Sequence, residues 1–112
     1  MTNLIITGKD FKLTPSLKAY VSKKMGKLDE FSSVRILEAK VELDVDHNQK
    51  SGLIYRTEMS VQLPGTIFKA GQKAYNMREA IDLCLPKLTE QVMKYKDKSL
   101  TRKKGHHQHL SE

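Results

Sequence analysis

The stretch LEAKVELDVD, residues 37–46, alternates without a break: Ala39, Val41, Leu43 and Val45 fall on one side, Glu38, Lys40, Glu42, Asp44 and Asp46 on the other. Side chains of a strand change face at every residue, so this pattern is a strand with one dry and one wet face. After a polar loop at 47–52, Leu53, Tyr55, Thr57, Met59, Val61 and Leu63 alternate with Arg56, Glu58, Ser60 and Gln62. They form the second arm of a hairpin. Pro64 and Gly65 make a tight turn into a shorter strand at 66–73. Upstream, residues 3–8 read as a short strand, β-branched at Ile5, Ile6 and Thr7 and punctuated by Gly8. The sheet is therefore expected to be antiparallel at its centre.

Two helices flank this hairpin. Thr14 is a helix cap and Pro15 suits the first helical position, where a missing N–H costs nothing. From there Leu17, Tyr20, Val21, Met25 and Leu28 recur at spacings of three and four, closed by Phe31, which predicts a helix over 15–30. Gly26 inside it costs about 1 kcal/mol relative to alanine. Asn76 with Glu79 resembles a capping box, and Met77, Ala80, Ile81, Cys84, Leu85, Leu88, Val92 and Tyr95 keep helical spacing over 77–98. Pro86 removes a bond to the Asp82 carbonyl, so the expectation is a kink, or two shorter helices. Two amphipathic helices must cover the dry face of one sheet. The fold class is α+β, β-α-β-β-β-α, with two helices packed on one face of a four-stranded sheet. Residues 1–98 make one domain, and 99–112, lacking periodicity, read as a disordered basic and histidine-containing tail.

The chain has 112 residues, 38% of them hydrophobic and 29% charged, with 20 Lys and Arg against 13 Asp and Glu. That is enough apolar material for one small core and too much for a disordered chain. No apolar run approaches membrane-spanning length, which argues against a membrane protein. A single cysteine, Cys84, excludes a disulfide framework and makes a reducing cytoplasm the simplest home. The net charge of +7 points to a polyanionic partner. Cations concentrate in the last third: residues 94–104 hold six, against Asp97 alone. The open face of the sheet reads as mildly acidic, so the helices are the expected polyanion-binding side.

On the second helix Lys87, Gln91, Lys94 and Lys98 fall along one flank. The first helix carries Tyr20, Lys24 and Lys27 on a similar flank, with Lys23 adjacent. Lysines on rigid helices neutralise successive phosphates, and Tyr20 and Gln91 add stacking or hydrogen bonds. The plain alternative is that these long side chains only rim the boundary between helix and sheet. Chemistry of other kinds is poorly supported. His106, His107 and His109 lack a neighbouring carboxylate, so no metal site is expected. Asp44, Asp46 and Asn48 imitate a calcium loop, but Gln49 stands where glycine is needed and Tyr55 where glutamate is needed. Cys84 lies on the apolar face and reads as packing. Without a phosphate loop, HExxH, GxSxG or CxxC, the chain reads as a non-enzyme with no cofactor.

Leu13-Thr14, Leu17, Tyr20-Val21, Lys24, Lys27-Leu28 and Phe31, followed by Asn76-Met77, Ala80-Ile81-Asp82, Lys87-Leu88, Gln91, Lys94 and Lys96-Asp97-Lys98, resemble the ribosome hibernation-promoting factor and ribosome-associated inhibitor family, in its short form. The resemblance implies a fold akin to double-stranded RNA-binding domains and binding to the 30S ribosomal subunit and 70S ribosome, on 16S rRNA where messenger and transfer RNAs sit. It implies a factor that stops translation and preserves idle ribosomes in starvation or stationary phase. The candidate rRNA-binding residues are Tyr20, Lys23, Lys24, Lys27, Arg78, Lys87, Gln91, Lys94 and Lys98. Arg78 stands where many relatives have tyrosine, Glu90 at an often basic position, and Pro86 in place of a helix former. Neither a membrane nor a small-molecule substrate is expected, and the free protein is expected to be a monomer. The competing reading is a general double-stranded RNA binder or RNA chaperone. A metal-dependent hydrolase built on the histidine tail is a distant third.

Overall fold

The computed structural model describes residues 3–48, 52 and 54–108, with side chains as far as Asp97. Its elements run β1 (Asn3–Lys9), α1 (Pro15–Ser32), β2 (Glu38–Val45), β3 (Tyr55–Leu63), β4 (Thr66–Ala74) and α2 (Met77–Gln108). The sheet order is β1-β2-β3-β4. A helical connection returns the chain to the end where β1 began, so β1 and β2 pair in parallel, with Ile6 opposite Val41. The short connections that follow give antiparallel pairs, Val41 opposite Met59 and Val61 opposite Phe68.

Local chemistry fixes the element ends. Thr14 Oγ1 accepts the Leu17 N–H at 3.2 Å, and Pro15 opens α1. Ser33 takes a left-handed conformation (φ 57°) and stops the helix. Asn76 Oδ1 accepts the Glu79 N–H at 2.8 Å, while Glu79 Oε1 accepts the Tyr75 N–H at 3.2 Å, a capping box displaced by one residue. Gly65 holds φ +83° after Pro64, as a type II turn requires. A Cβ on Gly8 would collide with the carbonyl of Phe11, so this glycine is required by close approach.

The core lies where the alternation placed it. Ala39, Val41, Leu43, Met59, Val61 and Leu63 are buried beneath Leu17, Val21, Met25 and Leu28 of α1 and Met77, Ala80, Ile81, Cys84, Leu88 and Val92 of α2. Each large side chain there contributes roughly 1.5–3 kcal/mol by leaving water. Thr57, fully buried, directs Oγ1 to Met77 Sδ at 3.5 Å, and its carbonyl accepts from Cys84 Sγ at 3.8 Å.

Two expectations change. Phe31 does not close the apolar stripe; it is 72% exposed, in the last turn of α1. The open sheet face is mixed in charge rather than acidic: Glu38, Glu42, Asp44 and Glu58 share it with Lys9, Lys40, Arg56, Lys69 and Lys73. The helix α2 runs through Pro86 as one element, the single long helix expected, rather than as two shorter ones. Its bounds are Met77–Gln108. The side chains of Lys98, His106 and His107 lie outside the described set, as do Leu53, Gln49 and His109 entirely.

Candidate nucleic-acid interface

The candidate residues form two groups on opposite flanks of α2. The first joins the helices at the ends where both begin. Tyr20 donates its phenolic hydrogen to Asp82 Oδ1 at 2.5 Å, and Lys24 Nζ stands 3.7 Å from the same oxygen. Arg78 Nη2 donates to Ser16 Oγ at 3.1 Å. Both cations also sit on the Tyr20 ring, Arg78 at 4.5 Å and Lys24 at 5.3 Å from its centroid. Contacts of that kind at exposed positions are worth about 0.5–1 kcal/mol each. The bond to Asp82 holds the Tyr20 hydroxyl above the usual tyrosine pKa, assisted by partial burial and the carboxylate charge. This arrangement presents a phenol and two cations in fixed positions, with one carboxylate offsetting part of their charge. Lys23 and Lys27 project from α1 as exposed side chains.

The second group faces the sheet edge. Lys87 Nζ donates to the Gly71 carbonyl at 3.5 Å, Gln91 Nε2 to the Lys69 carbonyl at 2.8 Å, and Tyr95 OH to the Pro64 carbonyl at 3.2 Å. Four residues of helix rise about 6 Å and two residues of strand about 6.8 Å, so successive turns of α2 meet successive outward carbonyls of β4. The Tyr95 ring packs edge-on against Phe68 at 5.9 Å. Lys94 pairs with Glu90 at 3.6 Å and stays 76% exposed, a pair worth little in solvent.

Lys87 lies about 180° around α2 from Arg78 at 100° per residue. The α1 lysines and the Lys87–Lys94 flank are therefore not one continuous surface. Lys87 and Gln91, expected to face phosphates, have polar atoms directed at the backbone of β4. Sequence reasoning missed Asp82 and Ser16 as members of the interhelical cluster. Asp82 stood inside the Ala80-Ile81-Asp82 pattern, but its partner is 62 positions away and no local periodicity links them. On the open face Arg56 is held by Asp44 at 3.4 Å and Glu58 at 3.1 Å, and Lys40 by Glu38 at 3.7 Å.

The remaining features offer little chemistry. Cys84 is buried, and burial pushes its thiol up to about 11. Among the described residues no group of three or more His, Cys, Asp or Glu is placed to hold a metal, and no helix is long and apolar enough to cross a membrane.

Comparison with known proteins supplies the family. The family described as Sigma 54 modulation protein / S30EA ribosomal protein matches residues 4–100. The ribosome hibernation promotion factor of Bacillus subtilis is 34% identical over 98 residues, covering 86% of this chain and 49% of that protein. The ribosome hibernation promoting factor of Escherichia coli K12 is 30% identical over 95 residues, covering 85% of this chain and 94% of that one. The chain thus spans about half the length of the longer curated relatives it matches and nearly all of the E. coli protein. The crystal structure of the Thermus thermophilus Protein Y N-terminal domain superposes with a TM-score of 0.68 at 28% identity, covering 83% of this chain and 94% of that domain. Its agreement with the β-α-β-β-β-α order, together with a match reaching across both helices and the whole sheet, leads to one conclusion: the chain belongs to the Sigma 54 modulation protein / S30EA ribosomal protein family, the family of the ribosome hibernation promoting factors.

Proposed function

We propose that this protein is a non-enzymatic ribosome-binding factor. It would occupy the messenger and transfer RNA channel of the 30S subunit, stop translation and stabilise idle 70S ribosomes in stress or stationary phase, in the cytoplasm. The observation that carries this reading is the interhelical cluster of Tyr20, Lys24 and Arg78 beside exposed Lys23 and Lys27, on helices matched across the family. Lysines and an arginine on a rigid surface bind phosphates and release counterions, and this requires no cofactor. Lys94 adds positive charge on the other flank of α2, as a separate contact.

Sedimentation of the purified protein with 30S and 70S particles through a gradient tests the partner. Co-migration that messenger RNA and initiator tRNA in excess abolish is the expected result. Equal affinity for arbitrary RNA hairpins and for intact subunits would instead identify a general RNA binder. Undiminished binding to fully loaded subunits would place the site outside the channel.

A further inference from the structure

Phe31 shares the angular row of Tyr20 on α1 but stands in water at the far end of that helix. Relative to Tyr20, Lys24 is rotated by about 40°, Lys27 by about −20° and Phe31 by about 20°, so the four share one narrow row about 16 Å long. The ring is 72% exposed, whereas Leu17, Val21, Met25 and Leu28 are buried. We infer that Phe31 is a stacking platform for an unpaired RNA base, with Lys24 and Lys27 on the adjoining phosphates. This rests on the ribosome-binding reading and specifies what one end of the site takes.

The chemistry around the ring selects that occupant. Exposed Lys23 and Lys27 on the preceding turns favour an anionic polymer. Phe31 itself is in the last turn of α1, which carries no basic residue and includes Asp29 and Glu30. The outward carbonyls of a helix C-terminus repel a phosphate placed there. An uncharged aromatic face beside a phosphate-binding stretch is what the row accommodates, and nucleic acid alternates these two features along its length. Bases within a duplex are already stacked, so the base taken is single-stranded.

The chain contains no tryptophan, so Phe31→Trp supplies a unique fluorophore. Its emission should be quenched by single-stranded hexaadenylate and by 30S subunits, and not by a blunt RNA duplex. Phe31→Ala should weaken 30S binding roughly 5- to 100-fold while leaving the log–log salt slope unchanged, whereas Lys27→Ala should reduce that slope by about 1. Phe31→Tyr should restore binding and Phe31→Leu should not. An unaltered thermal midpoint in Phe31→Ala separates lost binding from lost folding. Wild-type affinity in Phe31→Ala, rescue by leucine, or absence of quenching by hexaadenylate would overturn the stacking role. Failure of the wild-type protein to bind 30S subunits would instead remove the ribosomal reading, and the hexaadenylate titration would still decide the role of Phe31.

Discussion

Gln91 on α2 donates to the main-chain carbonyl of Lys69 on β4 at 2.8 Å, so a side chain expected to meet RNA closes part of an open sheet edge. Unpaired edge carbonyls are templates for pairing with another chain. Gln91→Ala should cost about 1 kcal/mol of stability, measured in urea, and increase self-association in sedimentation equilibrium. Its ribosome affinity should keep the wild-type salt slope. A flattened slope would return Gln91 to the RNA interface.

Asp82 restrains Tyr20 and Lys24 together. Asp82→Asn retains an acceptor oxygen but removes the charge that offsets the cations. Its RNA affinity at low salt should rise, with a log–log slope steeper by up to about 1. The stability loss should stay within about 1 kcal/mol because the pair is exposed. Fluorescence anisotropy across a salt series measures the first effect and thermal unfolding the second. Weaker binding at every salt would mean that orientation of Tyr20 and Lys24 outweighs charge.

Three lysines of α1 should carry more of the salt dependence than the open sheet face. Replacing Lys23, Lys24 and Lys27 together by alanine should reduce the slope by about 2–3. Lys40→Ala with Arg56→Ala should change it little, since three carboxylates, Glu38, Asp44 and Glu58, offset those two cations, whereas Asp82 offsets only Lys24 of the three α1 lysines. A larger effect from the sheet pair would place RNA on the strands.

Pro86 interrupts the hydrogen-bond ladder inside α2 and its side chain is exposed. Pro86→Ala restores an N–H for the Asp82 carbonyl and should raise stability by about 1–3 kcal/mol, read from the denaturant midpoint. Any bend caused by proline should also relax, moving amide shifts in the turns after position 86. Shifts confined to the immediate neighbours would mean that α2 is already straight.

At alkaline pH two groups act in the same direction. Burial pushes Cys84 up to about 11 from an ordinary 9, and the Asp82 hydrogen bond raises Tyr20 above its ordinary 10. Each is easier to ionise in the unfolded chain than in the fold. Their stabilisation is therefore complete below the unfolded values and is lost as pH rises through the folded ones. Unfolding free energy should fall between about pH 9 and pH 11, and Cys84→Ala should shrink that fall. An identical pH profile in the variant would exclude the thiol as its source.

The local rules of the chain were legible directly. Period-two alternation in 37–63 and three-four spacing from Leu17 to Leu28 and from Met77 to Val92 identify the strands, the helices and the buried face of each. These patterns are readable because a residue's face follows from its neighbours' geometry alone. Which flank of a helix meets another element is not local. It depends on where α2 settles over β3 and β4, and packing of the whole core decides that. Thus the spacing of Lys87, Gln91 and Lys94 was visible, while the turn of Lys87 and Gln91 toward the Gly71 and Lys69 carbonyls was not. Tyr20, Arg78 and Asp82 become a cluster only when the two helices lie side by side. Phe31 marks the boundary between the two kinds of knowledge. Its spacing fits an apolar stripe, but no other described element packs over it in the last turn of α1, and the folded chain leaves the ring 72% in water.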